Sequence, residues 1–262
     1  MKLTALSSLL VTTYICFVST AHASTPAVVF SPEQEARIGE IAAEYLTAHP
    51  DILVTVSMKL QEQKREREQL TFAVRVMDNQ AALLNDPDTP SSGPANADVA
   101  VIEFFDYQCV FCSKMAPEME AVMKSRPDVR YFFKEWPIFG DRWENSTKAA
   151  GYGLSVWKQK GAEAYVTYHN AVYATGHDEG KLTGQDIVQS AGLAGFTGPV
   201  RDDFSPLLAR NDALARALGL TGTPGIIVMP VKGATPKNIT VFPGYVPAES
   251  LEAAIQKAST VY

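Results

Sequence analysis

The sequence predicts a mixed α/β domain with a helical insertion, preceded by a helical N-terminal segment. Three observations carry this. The apolar run Val99-Ala100-Val101-Ile102-Glu103-Phe104-Phe105 leads into Cys109-Val110-Phe111-Cys112 and the helical stretch 112–120, a strand–turn–helix unit. A second strand at 129–134 is followed by a mainly helical block at 141–218, with breaks near Gly161, Gly176 and Thr197-Gly198-Pro199. Two short apolar runs, 225–229 and 239–242, read as strands before a closing helix at 248–259. The order is therefore β-α-β, helical block, β-β-α, a thioredoxin-like core with a helical insertion.

Residues 1–23 read as a secretory signal. Lys2 precedes a mostly apolar stretch, and Ala21-His22-Ala23 fits a small-x-small cleavage site. Removal of this segment discards Cys16 and leaves 22 basic and 29 acidic residues, a net charge of −7. No basic block stands out except the mixed segment Lys64-Arg65-Glu66-Arg67, so nucleic acid is not an expected partner.

Residues 24–84 form the N-terminal region, helical from 31. Ser31-Pro32-Glu33-Gln34 combines an N-cap serine, a proline at the first helical position and a capping-box glutamine. Ile38, Ile41, Ala42, Tyr45 and Leu46 recur at helical spacing, and His49-Pro50-Asp51 ends this helix and opens the next. Ile52, Leu53, Val56 and Leu60 mark the second stripe, and one helix could run through 51–84. So thin a segment cannot bury its own stripes. It packs either on the rest of the chain or on copies of itself. Residues 85–97, rich in Pro, Ser, Gly and Asp, read as a linker to a catalytic domain at 98–262.

Cysteine usage narrows the chemistry. Of three cysteines, the two outside the signal both lie in the C-x-x-C. They are too close to staple a fold, although exported proteins commonly spend cysteines that way. The helix N-terminus after them stabilises a thiolate, the nucleophile of disulfide exchange. Cys109 is expected to be exposed and Cys112 shielded. A zinc site wants about four ligands, and neither a second cysteine pair nor metal-ligand spacing among the histidines is present. No metal and no cofactor beyond the dithiol is expected.

Two further features converge on this pair. Glu103 interrupts an apolar strand, a costly place for an acid without a role or a partner. It either points beneath the cysteine helix, where it could exchange protons with Cys112, or faces solvent at an edge. Thr221-Gly222-Thr223-Pro224-Gly225 precedes a strand. Pro224 is either a cis proline, placing the Thr223 backbone beside the cysteines, or an ordinary loop proline. Trp136, Trp143, Trp157 and His169 read as packing residues.

At these residues the chain resembles the DsbA-like family of bacterial periplasmic thiol–disulfide oxidoreductases. The resemblance is carried by residues 101–112, by Phe133-Lys134-Glu135-Trp136-Pro137-Ile138-Phe139-Gly140 and by Leu218-Gly219-Leu220-Thr221-Gly222-Thr223-Pro224. Residues 31–84 are similar to the N-terminal extension of the ScsC- and BcfH-related subgroup, which oligomerises, commonly as a trimer. The resemblance implies Cys109 as attacking thiol, Cys112 as resolving thiol and Glu103 as the proton-handling acid. It places Thr223, Pro224 and the dipeptide Val110-Phe111 against the substrate. It further implies periplasmic location, unfolded or wrongly bridged exported proteins as substrates, and a membrane redox partner as an option. Val110-Phe111 lacks the Pro and His of the family's strong oxidases, so a milder oxidant is expected. Threonine before the cis proline is the isomerase choice. The expectation is a periplasmic protein disulfide oxidoreductase leaning toward disulfide isomerase. A dithiol oxidase and a copper-binding or chaperone module holding Cu(I) on the two thiols are the alternatives. Deleting residues 24–84 is expected to leave a folded catalytic domain.

Overall fold

The computed structural model describes residues 30–260; the expected signal segment, with Cys16 and His22, lies outside them. The chain divides into two units between Lys59 and Leu60. In the first, α1 (Pro32–Ala48) opens with the expected capping box: Ser31 Oγ accepts from the Gln34 N–H at 3.3 Å, and the Ser31 N–H donates to Gln34 Oε1 at 2.8 Å. The helix α1 buries no residue, and Ile38, Ile41 and Tyr45 are all about half exposed or more. A second helix, α2 (Asp51–Asp78), carries the exposed Leu53 and Val56 in its part of this unit.

The second unit holds a five-stranded sheet ordered β1-β3-β2-β4-β5. Its strands are β1 (Ser91–Ser92), β2 (Val99–Phe105), β3 (Arg130–Glu135), β4 (Gly225–Pro230) and β5 (Thr240–Phe242). Parallel pairing of β2 with β3 demands a crossover, which α4 (Val110–Ser125) supplies. The insertion consists of α5 (Glu144–Lys160), α6 (Ala162–Ala174), α7 (Gly184–Leu193) and α8 (Ser205–Leu218), and α9 (Ala248–Ala258) closes the chain. This is the thioredoxin-like α/β architecture with a helical insertion that the element order predicts.

Strand alternation splits the core in two. Val101, Phe105, Phe133 and Val228 pack beneath Cys112 and Met115 of α4, Tyr168 of α6 and Ile255 of α9. Ala100, Ile102, Phe104 and Ile227 face the other way, onto Leu214 and Leu218 of α8. That second layer also contains Ala73 and Val76 of α2 and Leu83 of α3 (Gln80–Leu84).

These contacts correct the expected domain boundaries. Residues 60–84 belong to the catalytic unit, and the segment 85–97 is not a free linker. Gln69 acts as an extra rung on the edge strand: its amide donates to the Val241 carbonyl at 2.7 Å and accepts from the Val241 N–H at 3.2 Å. Gln80 donates to the Val231 carbonyl at 2.9 Å. In the expected linker, Ser91 pairs with Phe132, and the Pro90 carbonyl accepts from the Phe133 N–H at 2.9 Å. Buried Lys134 donates to Thr89 Oγ1 at 2.6 Å and the Ala82 carbonyl at 3.1 Å, with Asp86 3.5 Å away. Polar, turn-forming residues can thus read as a linker while pairing with a sheet edge through backbone groups. The single helix conceivable over 51–84 is also broken, at Asn79, whose side chain donates to the Arg75 carbonyl at 2.8 Å in competition with the helical ladder.

Candidate functional site

Cys109 is the N-cap of α4, in extended conformation (φ −84°, ψ 119°), so the chain turns from β2 into the helix at the nucleophile itself. The Cys109 N–H donates to the Asp106 carbonyl at 3.0 Å, and its thiol donates to the Thr223 carbonyl at 3.2 Å. Thr223–Pro224 is a cis peptide bond, and the hydrogen bond from Cys109 to the Thr223 carbonyl sets the loop before β4 against the dithiol. Both cysteines are free thiols. Contrary to the expectation of an open attacking thiol, Cys109 is only 5% exposed, against 1% for Cys112. The exposed member of the turn is Phe111, 53% accessible, with the Lys114 ammonium 5.5 Å from its ring centre; Val110 is half-buried.

The electrostatics separate the two thiols. Cys109 is lowered to about 6, first by the Cys112 thiol bonding to it, then by Thr223 and the Cys112 and Phe111 N–H groups, against opposition from burial. Thr223 Oγ1 is buried with no hydrogen-bond partner, and a hydroxyl there is available to donate to the Cys109 thiolate, in line with its lowering effect. Burial pushes Cys112 well above the ordinary thiol value, and the neighbouring Cys109 and Glu103 push it the same way. The arrangement yields one thiolate and one thiol at neutral pH.

Glu103 lies on central strand β2, flanked by β3 and β4, which excludes an edge position. It is 2% exposed, burial raises it to about 8, and its Oε2 has no hydrogen-bond partner. A carboxyl so placed is protonated at rest and ready to exchange a proton. This has a stability consequence. The folded state holds a proton that the unfolded chain releases near 4.5, so stability falls as pH rises from about 4.5 through about 8. Glu103→Gln should therefore raise stability at pH 8 by roughly 1–3 kcal/mol, after allowing for the buried amide. The gain should vanish at pH 4, as denaturant titrations at the two pH values would show.

The structure adds residues that the sequence reasoning missed. Asp106, also buried, accepts from the Gln108 N–H at 2.8 Å, the Phe139 N–H at 2.9 Å and the Ser146 hydroxyl at 2.7 Å. It thereby ties the turn before Cys109 to the entry of the insertion. An Asx-type bond from residue i to i+2 was legible in Asp106-Tyr107-Gln108, but its partners at 139 and 146 were not. Gln108 fixes a further loop, its side-chain oxygen accepting from the Gly180 N–H at 2.8 Å. His169 is packed among Phe105, Phe133 and Tyr173, and burial lowers it to about 3, leaving it neutral. Trp136 is buried and donates to Asp212 at 2.9 Å, a packing role as expected.

With this geometry in place, comparisons place the chain. A strand-to-helix dithiol facing a cis-proline loop defines the class: the chain belongs to the thioredoxin family, whose profile, described as Thioredoxin, matches residues 85–245. Within that class it is a DsbA-like protein of the ScsC and BcfH kind. The Copper resistance protein ScsC N-terminal domain matches residues 34–67. The structure of BcfH from Salmonella enterica Typhimurium is 39% identical over 87% of this chain and 97% of that chain, with a TM-score of 0.72. ScsC of Proteus mirabilis in a transitional conformation is 26% identical over 88% and 97%, with a TM-score of 0.60. A thioredoxin-like oxidoreductase from Silicibacter pomeroyi is 30% identical over 68% and 96%, with a TM-score of 0.54. No curated protein matches the chain.

Proposed function

We propose that this protein is a protein thiol–disulfide oxidoreductase of the periplasm, leaning toward disulfide isomerisation and working as an oligomer. The observation that carries the chemistry is the asymmetric dithiol, Cys109 lowered to about 6 at the N-cap of α4 and Cys112 raised beneath it. Similarity to a periplasmic thioredoxin-like protein from Salmonella enterica Typhimurium (28% identity over 69% of this chain) supports the location. No described helix is long and apolar enough to cross a membrane.

In the proposed cycle, the Cys109 thiolate attacks one sulfur of a substrate disulfide. The substrate S–S bond breaks, its second sulfur leaves as a thiolate, and a Cys109–substrate mixed disulfide forms. In isomerisation another substrate thiolate attacks that bond, a new substrate disulfide forms, and Cys109 leaves as thiolate with no net redox change. In the resolving branch, Cys112 gives its proton to the ionised fraction of Glu103 and attacks the Cys109 sulfur; the Cys109–substrate S–S bond breaks, and the substrate sulfur leaves as a thiolate. The dithiol is then oxidised and the substrate reduced. Run in reverse, this branch oxidises substrates, and a membrane partner could recharge the disulfide. Unfolded or misbridged exported proteins are the proposed substrates, docking on Phe111, Val110 and the Thr223–Pro224 loop. The bare stripes of α1 and α2, together with the ScsC N-terminal match, support joining of protomers, most simply three.

Insulin reduction and refolding of a scrambled disulfide substrate test the proposal, and loss of both would refute it. Thr223→Val sharpens it. Removing the Oγ1 donor while keeping the shape should raise the Cys109 pKa by roughly one unit, the worth of one charge-assisted hydrogen bond. It should also shift the balance of activities from isomerisation toward oxidation. Unchanged thiolate absorbance and unchanged activities would remove Thr223 from the site.

A further inference from the structure

The loop between α6 and α7 is tied to the nucleophile's own turn. Its tip, residues 178–181, is closed by the Lys181 N–H donating to the Asp178 carbonyl at 2.9 Å. Two successive N–H groups of this tip bond to one residue, Gln108, which immediately precedes Cys109. The Glu179 N–H donates to the Gln108 carbonyl at 2.9 Å, and the Gly180 N–H donates to Gln108 Oε1 at 2.8 Å. Gln108 is fully buried, so the anchor is held by packing. Trp143 also lies against the tip, where a Cβ at Gly180 would come 2.7 Å from its Nε1.

Glu179 is the unusual residue of this tip. Its φ is +47°, and among the described residues no other non-glycine has a positive φ. Residues with a Cβ rarely adopt this left-handed region, because the side chain crowds the backbone. Glycine sits there without strain, as Gly180 does at φ +91°. A glutamate kept at such a position points to a use for its side chain. The fold itself makes none: Glu179 is exposed, and the ion pair of this loop is formed by His177 with Asp186 at 2.9 Å.

Backbone geometry limits how far the carboxylate can be from the dithiol. Cys109 follows directly on the carbonyl that Glu179 binds, so in every rotamer the Glu179 carboxylate lies within about 12 Å of the Cys109 nitrogen. The neighbouring charges of the tip, Asp178 and Lys181, are opposite in sign and largely offset each other. On α4, Lys114 lies 5.5 Å from the ring centre of the exposed Phe111. The dithiol thus has an anion on its insertion side and a cation on its α4 side.

We propose that Glu179 is a specificity-determining residue: its carboxylate forms an anionic rim beside Cys109 that favours substrate disulfides flanked by lysine or arginine. A substrate chain crossing Cys109 carries one flank toward the insertion, where a basic side chain meets Glu179 and an acidic one is repelled. The pair is exposed, so its worth is modest and screened by salt.

This inference rests on the dithiol reading above, and one assay separates the two. Short peptides carry one cysteine bridged to 5-thio-2-nitrobenzoate, with Lys, Ala or Glu placed before or after it. The Cys109 thiolate of the reduced protein attacks the peptide sulfur. The Cys109–peptide bond forms, the peptide–aryl S–S bond breaks, and the aryl thiolate leaves with its electrons and is read by colour. At low ionic strength the Lys peptide should react about 2–5-fold faster than the Glu peptide for one of the two flanks, and the ratio should shrink toward one in about 0.5 M salt. Glu179→Gln should abolish the preference and Glu179→Lys should reverse it, with the Ala peptide within about twofold of native in both. Glu179→Gly should also lose the preference while melting no lower than native, because it relieves the left-handed backbone. Equal ratios in native and Glu179→Gln protein would overturn the specificity role and leave the dithiol reading intact. Lower melting of Glu179→Gly with the preference retained would assign Glu179 to the fold and overturn it too. Release from none of the peptides would overturn the dithiol reading itself.

Discussion

Cys109→Ser should abolish insulin reduction and scrambled-substrate refolding, each by at least about 10³-fold, because the other described thiol, Cys112, is buried in the first turn of α4 and held protonated. Cys112→Ser should instead accumulate mixed disulfides between Cys109 and substrate, visible by mass spectrometry of acid-quenched reactions. If the serine variant at 109 keeps activity and the one at 112 loses it, the assignment of attacking and resolving thiols is reversed.

The size of the effect follows from ionisation. A thiol lowered to about 6 is roughly nine-tenths thiolate at pH 7, whereas one at the ordinary 9.0 is roughly 1% ionised. Nucleophilicity falls with pKa, with a Brønsted slope of about 0.4–0.5, which returns most of that gain. The lasting advantage is as a leaving group, since a stabilised Cys109 thiolate departs readily from mixed disulfides. An isomerase needs this property, because it must release substrates without oxidising or reducing them. The same depression links the reduced form to pH. A thiol whose folded pKa lies below its unfolded value stabilises the reduced fold fully above about 9, and this is lost as pH falls through about 6.

The dithiol, its strand, the insertion and the cis-proline loop were legible because each is written in a short contiguous stretch. Apolar runs delimit β2 and β4, and glycines and prolines mark the breaks between α5 and α8. Glu103 stood out by the rule that an acid in an apolar strand needs a reason. Glu135 obeys the same rule in Phe133-Lys134-Glu135-Trp136, but the adjacent Lys134 breaks the apolar run that makes an isolated acid visible. In the fold these neighbours point to opposite layers, Lys134 toward Thr89 and Glu135 toward Tyr165. The domain boundary was misplaced for a related reason. Gln69, Arg75 and Gln80 are polar and suggest solvent, yet they bond to the carbonyls of Val241, Leu218 and Val231, partners more than 140 residues away that no local pattern exposes.

That boundary makes the second large prediction. A chain beginning at Leu60 should fold as a stable monomer, whereas one beginning at Asn85 should not fold, contrary to what the sequence alone suggested for removal of residues 24–84. The shorter chain loses Ala73, Val76 and Leu83 from the core layer beneath Ile102 and Phe104, and uncovers the Val241 edge that Gln69 closes. Truncating one fully buried leucine costs about 2–5 kcal/mol. Loss of three buried apolar residues, together with the Ala82 carbonyl that Lys134 bonds, rivals the roughly 5–15 kcal/mol that holds a typical domain together. Removing only 24–59 should strip the exposed stripes of α1 and early α2 while leaving Cys109 and its surroundings untouched. Light scattering should then report an oligomer for the chain from 24 and a monomer from 60, with weaker isomerisation and equal or greater oxidation in the monomer. Thermal melts decide the boundary: equal stability of chains starting at 60 and 85 would remove α2 from the catalytic core. A monomeric chain from 24 would end the proposal that these helices join protomers, and with it the isomerase preference built on several dithiols sharing one substrate.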